Sequence, residues 1–89
     1  MPRVPSPAAK HIGRQIRAAR RAADLTLESL GHATGIDSSN IRAYETGRAM
    51  PSVHSLLRIA LALDTSPGEL LDGLTLDLFG PERTDRNAG

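Results

Sequence analysis

This chain of 89 residues has no cysteine and no tryptophan, and its aromatics are limited to Tyr44 and Phe79. Without cysteine there is no disulfide framework and no thiolate metal site. Two aromatics are too few for a domain that stacks unpaired bases on aromatic platforms, as single-strand and RNA-binding modules do. The longest apolar stretch, around Leu56–Leu63, is broken by Arg58 and is far short of the ~20 residues that a membrane span needs. The opening MPRVPSPAAKH has three prolines and no apolar run of signal-peptide type. The expectation is a cytoplasmic protein with no membrane association and an aliphatic core, of a size for one domain.

Charge is scarce in sum but sorted along the chain. The net charge is +1. Residues 1–48 carry eight Lys/Arg against four Asp/Glu, a net +4; residues 49–89 carry three against six, a net −3. A basic front and an acidic back fit one face for a polyanion and another turned from it, although ordinary surface charge can segregate in the same way.

What remains reads as helices with clear punctuation. Residues 1–8 form a Pro-rich arm, expected to be flexible, whose Arg3 has no assigned role. A first helix is predicted from Ala9 to Ala23, with Ile12, Ile16, Ala19 and Ala23 on one apolar stripe and Lys10, Arg14, Arg17 and Arg21 opposite. Arg20 falls at the rim of that stripe. Thr26 caps a second helix that buries Leu27, Leu30, Gly31 and Thr34, and Gly35 ends it. Gly31 suits close approach of another helix, and Ile36 plugs the core from the turn.

Asp37 or Ser38 caps a third helix running to Thr46. Its inward side chains are Ile41 and Tyr44. Ser39, Arg42, Ala43 and Thr46 point outward, with Ser38 and Asn40 on the flanks. Gly47 follows as a second C-terminal glycine. Ser52 caps a fourth helix, apolar round much of its circumference through Val53, Leu56, Leu57, Ile59, Ala60 and Leu63, as a central helix should be. Ser66-Pro-Gly-Glu69 is a capping box that starts a fifth helix ending near Gly73. Residues 74–89 form a tail in which Leu74, Leu76 and Leu78 alternate with polar residues before Phe79. That strip is a candidate dimer surface, together with the fifth helix, or simply a cover for the core.

Two short helices joined by a tight turn, followed by a basic loop with glycine, are the pattern of a helix-turn-helix, whose second helix fits the DNA major groove. The cationic first helix, Thr26-Leu-Glu-Ser-Leu-Gly31, Thr34-Gly-Ile-Asp37, Ile41-Arg-Ala-Tyr-Glu-Thr-Gly-Arg48, Pro51-Ser-Val53, Leu56-Leu-Arg-Ile-Ala-Leu-Ala-Leu63 and Ser66-Pro-Gly-Glu-Leu-Leu71 together resemble the Xre (Cro and phage-repressor type) helix-turn-helix family. The resemblance spans about residues 10–73. It implies an all-α, five-helix, lambda-repressor-like DNA-binding domain over residues 9–73, a transcriptional regulator acting on double-stranded DNA as a homodimer. The same fold serves antitoxins and protein-interaction modules, in which the tail would hold a partner protein.

The resemblance places base contacts at Ser38, Ser39, Arg42 and Ala43. Serine hydroxyls accept or donate with almost any base, and Arg42 alone is built for bidentate contact with guanine. Ser38 and Ser39 also suit helix capping, and Arg42 also suits a phosphate or a surface pair with Glu45. Arg20 and Glu45 match the family's structural salt bridge; a half-buried carboxylate beside Ile41 needs such a partner. Backbone contacts fall to Thr26 and the amides after it, to Arg14, Arg17 and Arg20, to Asn40, and to the exit loop Thr46, Gly47 and Arg48. Leu27 stands where the family commonly has Gln, and a leucine donates no hydrogen bond to phosphate. His11, His32 and His54 lack ligand spacing, and no nucleophile and base are paired, so neither metal, cofactor nor catalysis is expected.

Overall fold

The computed structural model describes residues 6–80, which fold into five α-helices and one short 3-10 turn, with no strand among the described residues. The helices are α1 (Pro7–Ala22), α2 (Leu27–Thr34), α3 (Ser38–Glu45), α4 (Val53–Ala62) and α5 (Pro67–Leu70); the turn is Leu76–Phe79. No helix of the described residues is long and apolar enough to cross a membrane.

Capping residues account for most of the boundaries. The hydroxyls of Thr26, Ser52 and Ser66 accept from the amides of Ser29, Ser55 and Glu69 at 3.0–3.1 Å, as expected of each. Helix α1 starts two residues earlier than its apolar stripe suggests. Ser6 accepts from Ala9 N at 3.1 Å, and Pro7 occupies the first turn, where its missing N–H costs nothing. Ala8 is fully buried, so Pro7 and Ala8 belong to the helix and Ser6 is its cap rather than part of an arm, while Arg3 and the rest of that arm lie outside the described residues. At the other end Ala23 is exposed and outside the helix.

The capping box of α5 is half formed. Ser66 caps it, but the Glu69 carboxylate takes the Thr65 hydroxyl. The helix is a single turn, shorter than the expected run to Gly73. Two side chains of α1 satisfy carbonyls at its end: His11 Nε2 donates to Asp72 O at 2.5 Å and Gln15 Nε2 to Glu69 O at 3.1 Å.

The core is aliphatic, as the composition requires. Ile12 and Ile16 of α1, Leu30 of α2, Ile41 of α3, Leu56, Ile59, Ala60 and Leu63 of α4 and Leu70 of α5 form one buried cluster. Leu27, Ile36 and Tyr44 pack against its edge. Helix α4 departs from the expected pattern. It buries one side only, and Val53, Leu57 and Leu61 face outward.

Two glycines allow the helices to come this close. A Cβ on Gly13 would lie 2.8 Å from Glu45 O and closer still to Tyr44 O, so α1 crosses the end of α3 backbone to backbone. A Cβ on Gly31 would lie 2.8 Å from Ile36 O, which fits Gly31 to the turn and the start of α3. Atoms at these separations overlap, and the obstacle in each case is backbone.

Candidate nucleic-acid interface

The surface around α3 is built on a braced helix. Ile41 anchors it at 0% exposure, and Tyr44 packs against the same core. Arg20 of α1 then fixes its end. Its Nε donates to Glu45 Oε2 at 2.7 Å, Nη2 to Glu45 Oε1 at 3.0 Å, and Nη1 to Leu25 O at 2.8 Å. This is a bidentate fork, the geometry for which a guanidinium is suited. The two side chains are 14% and 6% exposed, so the pair is largely shielded from water. The hydrogen bond that Arg20 donates to Glu45 raises the Arg20 pKa above its ordinary value, outweighing the desolvation that acts against it. Arg20 therefore stays cationic throughout the working pH range. The expected Arg20–Glu45 bridge is present, and it also closes the loop after α1.

With both carboxylate oxygens of Glu45 engaged by Arg20, Arg42 makes no ion pair among the described residues. The alternative that tied Arg42 to Glu45 on the helix surface is thereby overturned. Arg42 is exposed, as are Ser39, Asn40 and Thr46, while Ser38 and Ala43 are half-buried. The outward face of α3 thus has the arrangement the sequence pattern suggests.

The hydrogen bonds within that face refine what each group has to offer. Asp37 occupies the N-cap position of α3 but makes no side-chain cap; its carboxylate instead accepts from the Ser39 hydroxyl. The cap expected of Asp37 or Ser38 is absent, because this local contact turns the carboxylate from the helix amides. The first-turn amides of Ser38 and Ser39 have no acceptor within the helix, as at any helix start.

In the exit loop the position is reversed. The Thr46 hydroxyl donates to Arg42 O at 3.0 Å and Ala43 O at 3.2 Å. The amides of Gly47 and Arg48 donate to Tyr44 O and Ala43 O at 3.1 and 2.9 Å. Free hydrogen-bond donors in this loop therefore belong to the Arg48 side chain, which is exposed. At α2, the Thr26 hydroxyl caps Ser29 N and donates to Ser29 Oγ, leaving the amides of Leu27 and Glu28 as the open donors of that turn.

One feature was not legible in the sequence. Arg17, Arg20 and Arg42 meet round a concavity of about 150 Å³, whose wall is completed by Leu27, Glu45 and Thr46. These residues are separated by up to 29 positions and come together because α1 crosses α3 at Gly13. The interior glycine on the apolar side of α1 was the available signal for that crossing. Three arginines and one carboxylate line it, and that carboxylate is already paired with Arg20, so the concavity suits an anion. Leu27 forms its apolar wall. From this point a cationic ridge continues along the outside of α1 through Arg14, Arg17 and Arg21, all exposed. At its other end Lys10 lies against Gly47, its Cγ 2.5 Å from where a Cβ would sit. The ridge thus lies along α1, which meets α3 at the end formed by Tyr44 and Glu45. The described residues hold no group of His, Cys, Asp or Glu arranged to bind a metal.

Known proteins share this fold. A helix-turn-helix domain family model matches residues 11–74. The restriction-modification controller protein C.AhdI from Aeromonas hydrophila is similar, at 34% identity over 70% of this chain and 94% of that one, with a TM-score of 0.68. The P22 c2 repressor, solved with a synthetic operator, is 32% identical over 70% of this chain and 94% of that one, at a TM-score of 0.65. SinR, a master regulator for biofilm formation solved with DNA, is 29% identical over 68% of this chain and 98% of that one, at a TM-score of 0.66. No curated protein sequence matches.

Proposed function

The chain belongs to the helix-turn-helix family of Cro and repressor type, and from that membership we propose that it is a sequence-specific regulator that binds duplex DNA through α3. The observation that carries the proposal is Arg42, exposed and without an ion pair among the described residues, on a helix whose other charged side chain, Glu45, is locked to the scaffold. A side chain held out from a rigid helix with its donors free is what bidentate reading of guanine requires. Two relatives solved on DNA, the P22 c2 repressor and SinR, support the same reading.

In this account α3 enters the major groove with its N-terminal turn foremost. Ser38 and Ser39 adapt to several bases, Ala43 meets at most a thymine methyl, and Arg42 supplies most of the discrimination. Phosphates take the flanks. The amides of Leu27 and Glu28 that Thr26 positions receive one, and the ridge of Arg14 and Arg17 another. Arg20 retains N–H donors beyond those given to Glu45 and Leu25 and completes the anion concavity. Asn40 and Arg48 reach the backbone beyond the groove edges, while Thr46 and Gly47 shape the loop that presents Arg48. The protein acts as a homodimer on a two-fold related site.

Competition binding tests this. Arg42→Ala should flatten the preference among duplexes far more than it weakens binding to random DNA. Equal losses on every sequence would reassign Arg42 to phosphate. A second reading, a module whose tail holds a partner protein, draws on the exposed Leu76 and Phe79. It gains if the wild-type chain shows no preference among duplexes at all.

A further inference from the structure

The described residues leave six large hydrophobic side chains exposed, and four of them, Met50 (40%), Val53 (74%), Leu57 (48%) and Leu61 (82%), lie on or beside one face of α4. Val53, Leu57 and Leu61 follow at intervals of four, so they form one stripe along the helix. The stripe carries no charge. Scattered apolar side chains on a surface need no explanation, but a continuous row on an otherwise polar helix face does.

We propose that this face binds a second copy of the chain, with the two α4 helices packed antiparallel about a two-fold axis at Leu57. This deepens the regulator reading by naming how its dimer forms, and it rests on that reading only for its purpose.

Symmetry points to the occupant. Val53 and Leu61 are equidistant from Leu57, so an antiparallel copy sets Leu57 against Leu57 and Val53 against Leu61 of the second copy. Such a stripe is complementary to itself, as an isologous interface must be. Charge agrees with the direction. Asp64, exposed just beyond the C-terminal end of α4, is carried to the N-terminal end of the second α4, where the helix dipole favours an anion.

The direction also suits DNA. Arg58 follows Leu57 on one edge of the stripe, and its Nη2 lies 2.8 Å from the Cβ position of Gly35, in the turn between α2 and α3. A two-fold axis across antiparallel helices keeps that edge of both copies on one side. Both helix-turn-helix turns then face the same way, as a single duplex requires; parallel packing would set them on opposite sides. Four side chains per copy bury less than the ~1,200 Å² at which stable interfaces begin, so the free dimer is weak and a shared duplex strengthens it.

Because the chain has no cysteine, Leu57→Cys introduces a single thiol. Two-fold packing brings the two thiols within disulfide reach, so L57C should oxidise to a covalent dimer at least tenfold faster than the control L76C, although Leu76 is the more exposed of the two positions. V53C and L61C should cross-link poorly alone and efficiently when mixed. In sedimentation equilibrium, L57K should weaken self-association at least tenfold while helical circular dichroism is unchanged. Cross-linking of L57C no faster than L76C, or a wild-type chain that stays monomeric at millimolar concentration, would overturn the proposal. Neither readout uses DNA, so either can fail while duplex binding stands.

Discussion

Arg20 and Arg42 lie on adjoining helices and carry the same charge, yet hydrogen bonding separates their tasks. Arg20 commits three donors to Glu45 and Leu25 and is part of the scaffold. Removing it leaves Glu45, 6% exposed, without its partner. Arg20→Ala is therefore expected to lower stability by about 3 kcal/mol, the usual cost of breaking a shielded pair from one side. Urea denaturation would read this as a fall in midpoint. Arg42→Ala is expected to leave that midpoint unchanged and to cost about 1–3 kcal/mol on the preferred duplex. The bridge was legible because a carboxylate beside an inward isoleucine demands a cation. The Ser39–Asp37 contact was not, because either residue is an equally good cap and the choice depends on how the turn sets the carboxylate.

At the scale of elements, glycine decides how helices meet. Gly13→Ala would press a methyl group onto the carbonyls of Tyr44 and Glu45. The expected result is a loss of 1–3 kcal/mol, the range typical of overpacking, seen in the same denaturation experiment. Because α1 then shifts against α3, duplex affinity should fall too, although Gly13 touches no DNA. Helix starts were readable because serine, threonine and proline act locally through the amides beside them. The outer face of α4 was misjudged for a non-local reason. Hydrophobicity around a whole helix suggests burial on all sides, but too few elements surround α4 to cover it. The tail has a mixed character: Leu74 packs on the core, while Leu76 is exposed. Removing residues 74–89 should therefore lower thermal stability, by uncovering part of the core, and leave self-association through α4 intact. A tail-less chain that is as stable as wild type but strictly monomeric would instead place the dimer surface in the tail.

For the whole molecule, the uneven distribution of charge is what converts a fold into a binding surface. The net charge of +1 would scarcely attract a polyanion. The cationic ridge of α1, the three-arginine concavity and Arg48 concentrate positive charge beside α3, while Asp64, Asp72 and Asp77 lie in the later elements. Each phosphate neutralised contributes a slope of about −0.9 to log affinity against log salt. Binding should thus weaken steeply between 50 and 200 mM salt, roughly as such footprints do, and Arg17→Ala should flatten the slope by about one unit on every sequence. The segregation of charge was visible in the chain; the convergence of Arg17, Arg20 and Arg42 was not, since it depends on a helix crossing. The most direct test of the account is selection of bound duplexes from a random pool by the full chain, followed by sequencing. An enriched inverted repeat is expected, with a guanine in each half-site and half-site centres about one helical turn apart. A pool that remains random, bound with the same affinity as before selection, would contradict it.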